Sequence, residues 1–460
     1  MAQYTNQQNP DADKQVVMRF PKGVDQVSPE TSLLPGAARR IVNLDVHQGA
    51  VGQNGPVGGR VTTRSRVQRI IVGTNMHSLW AGDHNTCYVD SGSLYRLDEN
   101  MVPTLVRTTV GDEEMYYTEI AGVVFYSNGW LTGTIVNGND APWGLPIPVG
   151  PVVVAVSYGG LVAGDYMVAY TYMDASGRES GATMTTLVTV ADGGGISLTA
   201  PTGSTGSGQG GNGHGYGHNH QYGQGSDSSS GAGTGYTTRV YVSPPNGENL
   251  YWVQNIPAGA TISYVGAHTP GKLLTTQYMM APEPSTQLDS YNGRIYSAVG
   301  NTLLATQALN YDLTRPATDF VVFPDPINMV KSVVDGVYVG TQHGVAYLDG
   351  NDLPLFRTRP ADMLPPIEGS ALAVDGGLFG ESGKGIVWLT RRGWVFGGAG
   401  GKVKRLTEAQ MALPEYDRAA SLYREHDGMR QVLSFVKGGG EAAGASDSYD
   451  VEIVRNGRVL

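Results

Sequence analysis

Three of the chain's nine histidines lie within seven residues: His214, His218 and His220, in Gly213-His-Gly-Tyr-Gly-His-Asn-His-Gln-Tyr-Gly223. Imidazoles at that spacing can converge on zinc, nickel or copper. No carboxylate or thiolate stands among them and glycine preorganises nothing, so no metal is assigned, and a solvated, flexible loop over 202–236 is the plainer reading. The interleaved Tyr216 and Tyr222 offer another: aromatic rings on pliable backbone give contact area with few torsions to freeze. His214, Tyr216, His218, His220 and Tyr222 are therefore the expected contact loop.

Other constellations carry less chemistry. Gly376-Gly-Leu-Phe-Gly-Glu-Ser-Gly-Lys-Gly385 has the wrong spacing for a phosphate loop and puts glycine where a magnesium-holding hydroxyl belongs. Gly397-Gly-Ala-Gly-Gly-Lys402 lacks the dinucleotide spacing. Asp349-Gly-Asn-Asp352 lacks the closing glutamate of a calcium loop and reads as turn chemistry. Cleavage of a glycosidic bond needs two carboxylates about 5–10 Å apart; Asp335, Asp349 and Asp375 are scattered candidates. Arg60, Arg64, Arg66 and Arg69 form the conspicuous basic cluster, with Arg39 and Arg40 upstream. It reads equally as an interface patch for DNA or an acidic neighbour and as ordinary solvated charge. No catalytic residue and no cofactor is assigned.

The elements that must position such groups are strands. There are 65 glycines and 25 prolines, and only 16% of the 460 residues are charged, so turns are dense and long amphipathic helices scarce. The length calls for two or three domains. A net charge of −10 argues against a tight grip on nucleic acid. The lone Cys87, in a strand-like run, excludes an intramolecular disulfide and a cysteine zinc site. The N-terminus has no secretion-signal pattern, and no window of about 18 apolar residues occurs, so a soluble protein made in the cytoplasm is expected.

The order of the chain predicts an all-β architecture with an interruption. Residues 1–17 form a polar arm, expected to be mobile alone and to order against a neighbouring subunit. Short strands with turn chemistry between them run to about 150, where Pro146-Ile-Pro-Val-Gly-Pro151 marks a hinge. Over 151–284, longer and strictly alternating strands suggest an antiparallel sandwich. The first pattern restarts at Leu288-Asp-Ser-Tyr-Asn-Gly-Arg-Ile-Tyr-Ser-Ala-Val-Gly300 and recurs at Val333-Val-Asp-Gly-Val-Tyr-Val-Gly-Thr-Gln-His-Gly-Val-Ala-Tyr-Leu348. Residues 18–150 and 285–460 are thus expected to be the two parts of one β-propeller of about six or seven blades. One short helix is expected at Leu406–Leu413, with Thr407 as N-cap and Pro414 as stop.

Phe20-Pro-Lys-Gly-Val-Asp25, Leu34-Pro-Gly-Ala-Ala38, Asn43-Leu-Asp-Val46 and Arg60-Val-Thr-Thr-Arg64 together resemble the opening of tailed-bacteriophage virion proteins that lead into a propeller. Gly160–Ser180 with Arg239-Val-Tyr-Val-Ser243 is similar to the fibronectin-III-like module such proteins carry. Tyr291-Asn-Gly-Arg-Ile-Tyr296, Asp319–Asn328 and Gly336-Val-Tyr-Val-Gly-Thr341 match the second half of that pattern. The resemblance spans about residues 18–435, and the Gly/His loop departs from it. It implies a structural tail protein of nozzle, hub or tail-tip type, located in the virion and assembled in the host cytoplasm. Its partners would be copies of itself in a ring, other tail proteins, a host surface receptor, and DNA that passes without sequence recognition. The alternative is a glycan-binding or glycan-cleaving propeller for host recognition.

Overall fold

The computed structural model describes residues 71–202, 235–267, 269–353, 355–408, 413, 416–426 and 429–437, plus the backbone of four short strands between Leu44 and Thr63 and of Asp450–Ile453. The N-terminal arm and the centre of the Gly/His loop lie outside these residues.

The described chain is all-β and almost entirely antiparallel. Six sheets follow one another as meanders. Sheet A comprises Met76–Ala81, Thr86–Asp90, Ser93–Leu97 and Pro103–Arg107, and sheet B Tyr116–Ile120, Val123–Ser127, Thr132–Val136 and Asn139–Ala141. After residues 152–264 come sheet C (Thr286–Tyr291, Arg294–Val299, Thr302–Gln307, Asn310–Thr314, with Phe320–Val322 added) and sheet D (Ile327–Val333, Gly336–Thr341, Gly344–Asp349, Arg357–Asp362). Sheet E is Leu372–Asp375, Lys384–Thr390, Gly393–Gly397 and Val403–Arg405, and sheet F is Arg418–His426, Met429–Lys437 and Asp450–Ile453.

Each sheet packs on the next through one apolar layer, because alternate residues of every strand face opposite sides. Cys87, Val89 and Leu94 of sheet A meet Val124, Tyr126 and Ile135 of sheet B. Phe125 and Trp143 meet Leu288 and Ile295 of sheet C. Tyr296 and Leu303 meet Val330 and Val339 of sheet D, whose opposite face gives Met329 and Tyr338 to Ile386 and Trp388 of sheet E. Val387 and Phe396 then meet Ala419 and Val436 of sheet F. Sheets B and C, far apart in sequence, form one body: the Ser285 amide donates to Ser127 Oγ (2.8 Å), and the Gly129 amide to the Ser285 carbonyl (2.9 Å).

Turn chemistry explains some of these hairpins and not others. Asn292 and Gly293 have φ of 46° and 73°, the paired positive values of a two-residue hairpin loop. The Asp335-Gly336 turn expected from sequence is displaced by one residue: Val333 pairs with Gly336, so Val334 and Asp335 form the loop and Gly336 opens the strand. Gly336 is instead a close-approach residue, since a Cβ there would stand 2.4 Å from the Leu348 carbonyl and 2.5 Å from the Tyr347 ring. Thr407, the expected N-cap, is described: its Oγ1 accepts the Trp394 amide (2.8 Å), a link inside sheet E. Residues 409–412 lie outside the described set.

Residues 152–264 make a three-stranded sheet (Val152–Leu161, Gly194–Thr199, Thr261–Tyr264) and a four-stranded one (Gly164–Met173, Thr186–Val190, Thr237–Val242, Tyr251–Ile256). Tyr166, Val168 and Tyr170 pack against Ile196 and Leu198 between the two. The chain enters and leaves this unit at one place on sheet C. Trp143 Nε1 donates to the Tyr311 carbonyl (2.8 Å), Met280 and Thr314 bond reciprocally, and Arg178 reaches Asp312 at 3.7 Å.

Candidate functional site: the junction at Glu368

The ionisable side chains that link the most sheets are ones sequence reading missed. The connection between sheets D and E, Leu364-Pro-Pro-Ile-Glu-Gly-Ser370, is tied to five sheets. Pro366 O accepts from Asn328 Nδ2 of sheet D (3.2 Å), and the Ile367 amide donates to Leu389 O of sheet E (2.8 Å). Glu368 Oε1 accepts from Tyr116 Oη of sheet B (2.8 Å) and from Gln287 Nε2 of sheet C (3.4 Å). Its carbonyl accepts the Ala419 amide of sheet F (2.7 Å), and Glu368 and Arg418 form a parallel bridge. Arg418 Nη1 then reaches Glu114 Oε2, just ahead of sheet B, at 2.9 Å.

The local backbone is bent to allow this. Gln287 has a φ of 55° where the pairing of Thr286–Tyr291 shifts register, which re-aims its side chain. Gly369, at φ 76°, passes so close to sheet F that a Cβ would stand 2.1 Å from the Ala419 carbonyl.

Burial and charge pull against each other here. Burial pushes the Glu114 carboxyl above its usual range; Arg418 opposes this and Glu368 adds to it. Burial likewise drives the Tyr116 phenol far upward, with Glu114 and Glu368 adding to it, so Tyr116 stays a proton donor. Burial works against the charge of Arg418, but Glu368 and Glu114 more than offset it and its pKa rises. The arrangement can hold protons and charges in place between sheets; each of these groups is engaged in joining one sheet to another.

A raised folded-state pKa means that the folded chain holds the Glu114 proton more tightly than the unfolded chain does. The contribution of Glu114 to stability is therefore fullest below the ordinary carboxylate range and is lost as pH rises through the window up to its raised value. Unfolding temperature measured from about pH 4 to about pH 8 should show a downward slope from this group, and Glu114→Gln should remove it. An unchanged pH profile in the variant would exclude the assignment.

The residues singled out in the sequence are placed as follows. His214, Tyr216, His218, His220 and Tyr222 lie outside the described residues. Arg60 opens the strand Arg60–Thr63, paired with His47, and its side chain, like Arg64, Arg66 and Arg69, is outside them too. Each of the scattered aspartates is engaged by a neighbour. Asp335 accepts from Tyr347 Oη (2.6 Å) and the Gly400 amide, Asp349 pairs with Arg359 (2.7 Å), and Asp375 caps the turn Gly376–Phe379. Asp352 pairs with Arg294 at 2.7 Å. Cys87 is fully buried and its thiol is pushed up to about 12, chiefly by burial. Among the described residues no helix is long and apolar enough to cross a membrane.

The comparisons add little to this geometry. No family model and no curated protein matches the chain. Among solved structures, the computationally designed Ika8 protein aligns with 83% of this chain and 96% of its own, at 11% identity and a TM-score of 0.26. A likeness at that level carries no argument.

Proposed function

We propose that this chain is a non-enzymatic building block of a bacteriophage tail. In this reading, sheets A to F are the six blades of a β-propeller, and residues 152–264 are a fibronectin-III-like guest inserted between the second and third. Copies assemble into a ring at a nozzle, hub or tail tip around the path of the DNA, with the guest projecting outward toward the host. The observation that carries the proposal is the junction at Glu368. Groups able to do acid–base chemistry, Glu114, Tyr116 and Glu368, are committed to holding sheets together, as a load-transmitting part requires.

Two further features support it. Both ends of the guest return to Tyr311–Thr314, so it interrupts the host sheets without breaking their succession. Of the segments that resemble phage tail proteins, Gly336–Thr341 is a central strand of sheet D and Tyr291–Tyr296 spans the turn between the first two strands of sheet C. A net charge of −10 suits a wall past which phosphates slide.

The test is the particle itself. Purified chain examined by negative-stain electron microscopy and solution mass should give rings or tail-like assemblies, and antibody against it should label virions at the tail end. A monomer that depolymerises host polysaccharide would replace this reading with the glycan-cleaving one. Removing residues 203–235 should leave assembly intact and reduce adsorption if the loop touches the host.

A further inference from the structure

We infer that the strand Val152–Leu161 is a docking edge for the same strand of a second copy of this chain. It is ten residues long and, among the described residues, lies at the edge of its sheet, paired on one side only, with Gly194–Thr199. Along Val152–Ser157, no backbone bond to anything else occurs among the described residues. An edge of that length presents a row of unpaired N–H and C=O groups, and proteins that stay apart blunt such edges with charge or proline. Here neither is present: Val152–Leu161 contains no proline, and no Asp, Glu, Lys or Arg occurs between Asp140 and Asp165.

The exposed face next to this edge has the same character. Alternation sends Val153 inward against the core and Val152 and Val154 outward, where they are 60% and 58% exposed; Tyr158 is 60% exposed beside them. Their cross-strand neighbours are Thr199 and Ser197, then Thr261 and Ser263, all uncharged. In a chain of net charge −10, the long-range electrostatic force between copies is repulsive. A neutral, valine-rich edge is where that repulsion is weakest and where backbone pairing gives most.

These features select the occupant. Antiparallel pairing of the edge with itself sets valine against valine across a twofold axis and continues the three-stranded sheet into its copy as one six-stranded sheet. A charged or proline-bearing strand from another protein would meet no complementary group there. The inference does not depend on the tail assignment: a twofold contact joins copies in pairs whatever the assembled particle is.

The test uses the full chain in sedimentation-velocity and light-scattering measurements. The expected result is an assembled mass that halves in Val154→Lys, paired rings to single rings or paired chains to single chains, while the far-ultraviolet circular dichroism stays unchanged, because the side chain is exposed. As a second probe, Val154→Cys treated with a short bismaleimide should be captured as covalent pairs. Thr104→Cys, exposed on sheet A, should not; the native Cys87 is buried and silent. A mass that Val154→Lys leaves unchanged, or equal capture at Thr104, would each overturn the inference. Rings of unchanged mass in the variant would do so while leaving the proposed function standing.

Discussion

Trp388→Ala should lower the stability of this protein by about 3–5 kcal/mol, a large share of the ~5–15 kcal/mol that holds a typical fold together. Trp388 is fully buried in the layer between sheets D and E, its ring 5.7 Å from that of Tyr338. The space it fills is shaped around it: a Cβ on Gly397 would come within 2.7 Å of the indole. Neighbouring strands are fixed by their ladders and cannot close the cavity left by truncation, so transfer and cavity costs add. The indole N–H has no partner among the described residues, so Trp388→Phe gives up no hydrogen bond and should lose far less. Urea denaturation of the three proteins, read by circular dichroism, checks the order. A Trp388→Ala midpoint equal to the wild type would mean that sheets D and E do not share a core.

Gly369→Ala should be nearly as damaging although it adds a single methyl group. The positive φ alone costs about 1–3 kcal/mol for a residue with a side chain, and the new Cβ cannot coexist with the Ala419 carbonyl. Relief requires moving sheet F away from the connection, at the expense of the 2.7 Å bond from the Ala419 amide to Glu368. Gly400→Ala is the matched control: its φ is 72°, but nothing lies within 4 Å of the added atom. Calorimetry should therefore find Gly400→Ala paying backbone strain only and Gly369→Ala clearly more. Equal losses would show that the connection does not bind sheet F tightly.

Local signals were legible in the sequence and distant pairings were not. The hairpin at Asn292-Gly293 and the alternation of Gly164–Met173 follow from residue type within a few positions, because positive φ and two-residue periodicity are properties of short segments. The return of short hairpins from Leu288 onward was legible for the same reason. Glycine misled where its purpose was space and not a turn: at Gly336 the constraint comes from Tyr347 and Leu348, across the strand pair. The junction left no local trace. Tyr116 and Glu368 are 252 residues apart, and a lone glutamate after Pro365-Pro366-Ile367 carries no motif. Thr407, which the local pattern offered as a cap for its own turn, takes the Trp394 amide, a partner that no neighbouring residue announces.

The contact between Tyr116 and Glu368 also decides what can move. A phenol and a carboxylate held at 2.8 Å tie sheet B to the connection between sheets D and E, so neither can slide past the other without breaking that contact. A pull on the connection is therefore felt in a strand 252 residues earlier in the chain.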